Sequence, residues 1–121
     1  MKVLVIDDDP LLVECLCASL QQQGHSSVSA SSAAEALPML PWVDGAIVDG
    51  LGGDCWDILD RCKLLHVPCV LCSGDSDKID AAELMGVPGV LKPAPIKMVL
   101  AALGQKGGGD DMMTVRFPNG Q

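Results

Sequence analysis

The chain has 121 residues, 49% of them hydrophobic, with 16 acidic against 8 basic side chains and a formal net charge of −8. That is enough apolar sequence for one buried core, and one domain is the default expectation at this length. The acidic balance argues against nucleic acid or an anionic membrane as a direct partner, since both need a basic patch to neutralise phosphates.

No apolar stretch approaches the ~18 residues that span a bilayer. The N-terminus enters a strand without a signal peptide, so the expectation is a cytoplasmic protein. The first strand is the run Val3-Leu4-Val5-Ile6, followed at once by Asp7, Asp8 and Asp9. A helix starts near Pro10, a favoured first-turn residue after an aspartate cap, carries Leu12, Val13, Leu16 and Leu20 on one face and stops at Gly24. Asp9 reads as the cap of that helix rather than as a ligand. Ser26 to Ala30 is a weaker apolar run and predicts an edge strand. The second helix begins at Ser32, with Glu35 in capping-box register.

The third strand, Ala46-Ile47-Val48, ends in Asp49, and a third helix runs from Trp56 to Leu65. Val67 to Cys72 is the fourth strand, Asp77 to Met85 a short fourth helix, Val87 to Leu91 the fifth strand and Ile96 to Leu103 the fifth helix. Strict alternation of apolar runs with segments of helical period predicts an α/β fold, a doubly wound parallel sheet of five strands with five helices. From residue 105 onward the sequence reads as a Gly-rich linker and C-terminal tail, in which Thr114 to Phe117 suggests a short extended piece.

Six cysteines, at positions 15, 17, 55, 62, 69 and 72, fall mostly inside apolar segments and read as reduced, buried or half-buried thiols rather than disulfides. Cys69 and Cys72 have CxxC spacing, but an odd offset on a strand sends the two side chains to opposite faces, which suits neither a shared metal nor a redox pair. His25 and His66 fall in connections, with no partner suggested.

Chemistry concentrates where the strands end. Asp7 and Asp8 follow the first strand, Asp49 the third, Ser73 the fourth and Lys92 the fifth, and an open α/β sheet builds its ligand site in the crevice beyond those ends. Converging carboxylates repel by roughly 4 kcal/mol per pair at about 4 Å and an effective dielectric near 20, so they call for a hard cation such as Mg²⁺ or for hydrogen-bond donors.

The stretches Val3-Leu4-Val5-Ile6-Asp7-Asp8-Asp9-Pro10, Ala46-Ile47-Val48-Asp49, Leu71-Cys72-Ser73-Gly74 and Val90-Leu91-Lys92-Pro93 resemble the receiver domain of bacterial two-component response regulators over residues 1–104. The resemblance implies a flavodoxin-like strand order 2-1-3-4-5. It implies that Asp49 accepts a phosphoryl group from a phosphohistidine on a sensor histidine kinase or histidine phosphotransfer protein. Asp8, Asp49 and the Leu51 carbonyl would hold Mg²⁺ directly, and Asp7 would act through a water. Ser73 and Lys92 would contact the phosphoryl oxygens.

It also implies a downstream protein target on helix four, strand five and helix five, with Lys78, Ile79, Met85, Ile96 and Val99 as contributors, and pairing of two copies through that face. Asp49-Gly50-Leu51-Gly52-Gly53-Asp54 replaces the family's common methionine-proline turn and resembles a receiver subgroup with a Leu-Gly-Gly loop. Gly89 stands where many receivers carry a switch tyrosine or phenylalanine. Two other readings compete: a Mg²⁺-dependent phosphatase of the haloacid-dehalogenase type, for which Asp7 and Asp9 have the required spacing, and a degenerate receiver that acts only as an interaction domain.

Overall fold

The computed structural model describes residues 1–104, in which five parallel strands form one sheet in the order β2-β1-β3-β4-β5. The strands are β1 (Lys2–Ile6), β2 (Ser26–Ala30), β3 (Gly45–Asp49), β4 (Cys69–Ser73) and β5 (Gly89–Leu91). The helices are α1 (Pro10–Gln22), α2 (Ala33–Ala36), α3 (Cys55–Leu65), α4 (Ser76–Leu84) and α5 (Ile96–Leu103). The alternation predicted the parallel sheet, the resemblance implied this flavodoxin-like strand order, and β2 lies at an edge as its weaker apolar run suggested. The expected linker and tail lie outside the described residues.

Alternation of side chains along each strand divides the core in two. Leu4, Ile6, Ala46, Val48, Cys69 and Leu71 pack under α2 and α3 together with Ile58, Leu59 and Ala82. Val3, Val5, Ile47, Val70, Cys72 and Val90 face the other way, against Leu20 of α1 and Val99, Ala102 and Leu103 of α5. Each fully buried Val, Leu or Ile contributes about 1.5–3 kcal/mol by leaving water. Cys69 and Cys72 thus lie on opposite sides of the sheet, as their odd offset requires.

Local signals set most boundaries. The Asp9 carboxylate accepts from the Leu11 and Leu12 N–H groups at 3.0 and 3.5 Å and caps α1. Ser32 Oγ accepts from the Glu35 N–H at 3.2 Å, while the Glu35 carboxylate reaches Ser31, accepting from its N–H at 2.8 Å. The capping box is therefore displaced by one residue on its return arm. The second helix is shorter than its cap suggests: α2 gives way to a 3₁₀ turn over Leu37–Trp42. Pro38 and Pro41 lack the N–H that an α-helical ladder would use there.

Strand β5 is also shorter than the apolar run from Val87. Pro88 has no N–H to offer a ladder, and its carbonyl instead accepts from the Leu71 N–H at 3.0 Å. Among the six reduced cysteines, Cys15 is exposed on α1, an exception to the expectation of buried thiols. Cys62 of α3 and Cys69 of β4 lie in the same buried cluster, a proximity that spacing alone did not reveal, and the Cys69 thiol together with burial pushes Cys62 up.

Candidate functional site

Strand order reverses at β1, with β2 on one side of it and β3 on the other, and this switch opens a crevice at the carboxyl edge of the sheet. The parallel pairing Ile6 with Val48 brings the residues after them, Asp7 and Asp49, side by side. One oxygen from each of Asp7, Asp8 and Asp49 lies within 4.8 Å of the other two. Asp7 is buried, Asp49 half-buried and Asp8 exposed.

Lys92, just past β5, enters this group from the opposite side. Its Nζ donates to Asp49 Oδ1 at 2.5 Å and to Asp7 Oδ2 at 3.2 Å. The Lys92 N–H donates to the Ser73 carbonyl at 2.8 Å, which ties the start of that segment to the end of β4. Burial alone would depress the Lys92 pKa, but hydrogen bonds to Asp49 and Asp7, reinforced by their charges, carry it above the usual lysine value.

The Asp49 carboxylate is held at both oxygens, because Asp49 Oδ2 accepts from the Leu51 N–H at 3.1 Å. Leu51 itself adopts a left-handed conformation, with φ of +47°. A bulky residue rarely takes that region, so the backbone is strained at the residue that orients the carboxylate. Gly52 and Gly53 follow with φ of +61° and +112°, where glycine carries no Cβ penalty. The Leu51 carbonyl accepts from the Asp54 N–H at 3.1 Å and, like any carbonyl, has a second lone pair.

Among the described residues Ser73 is the other buried polar side chain besides Asp7, at 6% exposed. Its Oγ accepts from the Asp75 N–H at 3.0 Å, leaving its own hydroxyl proton free to donate into the crevice. Behind the site, burial pushes the Cys72 thiol up to about 12, Lys92 pulling it down and Asp49 and Asp7 adding to the rise. The thiol is therefore neutral at physiological pH and offers no competing nucleophile.

All of Asp7, Asp8, Asp49, Ser73 and Lys92 thus border one crevice, with Leu51 on its loop. Asp9 points away: its carboxylate caps α1, while its N–H donates to Asp7 Oδ1 at 3.0 Å. Its commitment to the cap removes the second aspartate that a haloacid-dehalogenase reading requires. The expected output face needs a correction too. Ile79 and Val99 are core residues, at 9% and 3% exposed, because they fall on the sides of α4 and α5 that pack against the sheet.

Gly89 has a reason to be glycine that the sequence does not show. A Cβ there would stand 2.7 Å from Ile79 Cγ2, so the side chain of Ile79 occupies the space beside β5.

No protein-family model and no curated protein matches the sequence. Solved structures do match. The chain superposes on a response regulator receiver domain protein from Clostridium thermocellum with a TM-score of 0.77 at 24% identity, over 93% of this chain and 98% of that one. A two-component response regulator from Clostridium difficile gives 0.75 at 20% identity, over 92% and 98%. A response regulator protein from Burkholderia pseudomallei, with a phosphorylated aspartic acid, calcium ion and citrate, gives 0.74 at 23% identity, over 96% and 75%. The chain has the receiver-domain fold of response regulators, and its acidic group lies at the carboxyl edge of that sheet. Among the described residues no helix is long and apolar enough to cross a membrane.

Proposed function

We propose that this chain is a phosphoacceptor receiver domain of two-component signalling, in which Asp49 takes a phosphoryl group from a phosphohistidine of a partner kinase or phosphotransfer protein. The observation that carries the reading is the bridge of Lys92 between Asp49 and Asp7, with Asp8 alongside, on a receiver fold. An ionised carboxylate is already a nucleophile, so positioning and charge stabilisation are what the site must supply. An Asp49 oxygen attacks phosphorus, the phosphorus–nitrogen bond to the partner's histidine breaks with its electron pair leaving on the imidazole, and an aspartyl phosphate results.

The two donors on Asp49, Lys92 Nζ and the Leu51 N–H, orient the carboxylate before reaction. Lys92 and the Ser73 hydroxyl then receive the phosphoryl oxygens, which bring roughly −1.5 to −2 of charge. Three carboxylates against one paired lysine leave excess negative charge, which fits a hard divalent cation with oxygen ligands. We assign Asp8, Asp49 and the Leu51 carbonyl as direct ligands of Mg²⁺ and Asp7 as a ligand through water. When bound, Mg²⁺ neutralises charge on the phosphoryl oxygens. Transfer would change protein binding at α4, β5 and α5, each of which exposes a large apolar side chain: Leu84, Leu91 and Met98. A target protein or a second copy of the chain would dock there.

The full chain incubated with acetyl phosphate and Mg²⁺ should take up one phosphoryl group and then stop, with no sustained hydrolysis of a simple phosphate ester. Continuous turnover of the ester would contradict the reading. Mg²⁺ at about tenfold over its Kd should stabilise the fold by about 1.4 kcal/mol, since it binds only the native arrangement. Asp8→Ala should lose most of that gain. Thermal melts with and without millimolar Mg²⁺ test this, and an unchanged Tm in the unsubstituted chain counts against the site.

A further inference from the structure

A second lysine stands at the rim of the crevice. Lys78, the third residue of α4, is half-buried, and its side chain lies across Gly50. A Cβ at Gly50 would meet Lys78 Nζ at 3.1 Å and Lys78 Cδ at 3.3 Å, with Ser73 Oγ at 3.6 Å from the same point. The ammonium and the Ser73 hydroxyl therefore flank one spot, on the residue that follows Asp49. Absence of a side chain at Gly50 is what admits the lysine.

Two packing features hold Lys78 there. Asp75 caps α4, its carboxylate accepting from the Asp77 N–H at 2.9 Å, and Asp75 N–H is in turn tied to Ser73 Oγ. The next residue, Ile79, is seated in the space that Gly89 leaves on β5. The start of α4 is thus drawn toward the ends of β4 and β5, and its lysine toward β3.

Among the described residues the charge of Lys78 has no ion-pair partner. The ion pairs among the described residues are both made by Lys92, to Asp7 and to Asp49, and Lys78 has neither an ion pair nor a side-chain hydrogen bond. Its field reaches the site region all the same: the Cys55 thiol, raised chiefly by burial, is pulled down by Lys78 and pushed up by Asp49. A half-buried cation without a counter-charge gains most from an incoming anion, whereas Lys92 is already shared between two carboxylates.

We infer that Lys78 is a second cationic ligand for the phosphoryl group on Asp49 and that this contact ties α4 to the phosphorylation state. The inference rests on the receiver reading and adds to it a specificity residue on a helix. It also supplies a coupling route in a chain with Gly89 in place of an aromatic ring. A phosphoryl oxygen held by Ser73 on one side would be held by the Lys78 ammonium on the other. Release of the phosphoryl group would free the start of α4.

Beryllofluoride with Mg²⁺ serves as the phosphoryl probe on the full chain, read by titration calorimetry and by amide exchange of residues 76–84. Lys78→Met keeps the apolar stem and should weaken beryllofluoride affinity about tenfold, the scale of one charge-assisted hydrogen bond. It should also abolish the added protection of α4, without weakening Mg²⁺ affinity. Lys78→Arg should restore both responses. A Lys78→Met chain that binds beryllofluoride as tightly as the parent, or an arginine variant no better than methionine, overturns the inference and leaves the receiver reading standing. A parent chain with no affinity for beryllofluoride in the presence of Mg²⁺ overturns both.

Discussion

Lys92→Met is expected to destabilise the domain by about 2 kcal/mol at neutral pH in the absence of Mg²⁺, between the cost of breaking a buried pair and that of a surface pair. The intermediate value follows from exposure: the Lys92 side chain is 29% exposed, Asp49 19% and Asp7 5%. Methionine retains the length of the stem but leaves Asp7 buried beside Asp49 and Asp8 without its cation. Millimolar Mg²⁺ should recover part of the loss, because it replaces the missing positive charge. Urea unfolding of both chains, with and without Mg²⁺, measures this, and equal stability of the two in the absence of metal would contradict it.

The same pair has a pH signature with a definite sign. Asp49 and Asp7 raise the Lys92 pKa in the folded state, so the folded chain holds that proton more tightly than the unfolded chain does. The contribution is complete below the unfolded lysine value of about 10.4 and is lost as pH rises through the higher folded value. The stability difference between the parent and Lys92→Met should therefore be flat from neutral pH to about pH 10 and shrink above it.

Gly89→Ala carries the second large effect. Its Cβ would stand 2.7 Å from Ile79 Cγ2 and 3.3 Å from both Ile79 Cβ and Cδ1. Isoleucine is stiff at χ1, so relief requires α4 to shift rather than a side chain to swing aside. The expected cost is about 1–3 kcal/mol, the range for an overpacked core. In an Ile79→Ala background the penalty should fall sharply, although that substitution carries its own cavity cost of about 2–5 kcal/mol. A double-mutant cycle by denaturant unfolding gives the coupling directly. Equal penalties in the two backgrounds would show that Ile79 is not what excludes a side chain at position 89.

Much of this molecule is legible in its sequence. Four dense apolar runs and a weaker edge run mark the strands because a doubly covered parallel sheet buries both faces of its central members, and Asp7, Asp49, Ser73 and Lys92 stand at their ends. Asp9 was readable as a cap from the proline that follows it. What sequence left hidden depends on how close elements approach in space. Pro38 and Pro41 could have warned that the second helix would break early. Nothing in the periodicity placed Ile79 against Gly89, or carried Lys78 from a helix across to Gly50. Those contacts depend on the seat of α4 on the sheet, which a one-dimensional pattern does not encode. For the same reason Ile79 and Val99 read as surface candidates although they are core.

The central claim is that Asp49 accepts the phosphoryl group, and peptide mapping by mass spectrometry after incubation of the full chain with acetyl phosphate and Mg²⁺ tests it most directly. One phosphoryl group should map to Asp49 and vanish in Asp49→Asn, whose amide is isosteric but a poor nucleophile, while the variant keeps its fold by circular dichroism. Label that persists in Asp49→Asn and maps to Asp7, Asp9 or a serine would contradict the account, as would a parent chain that takes up no label at all.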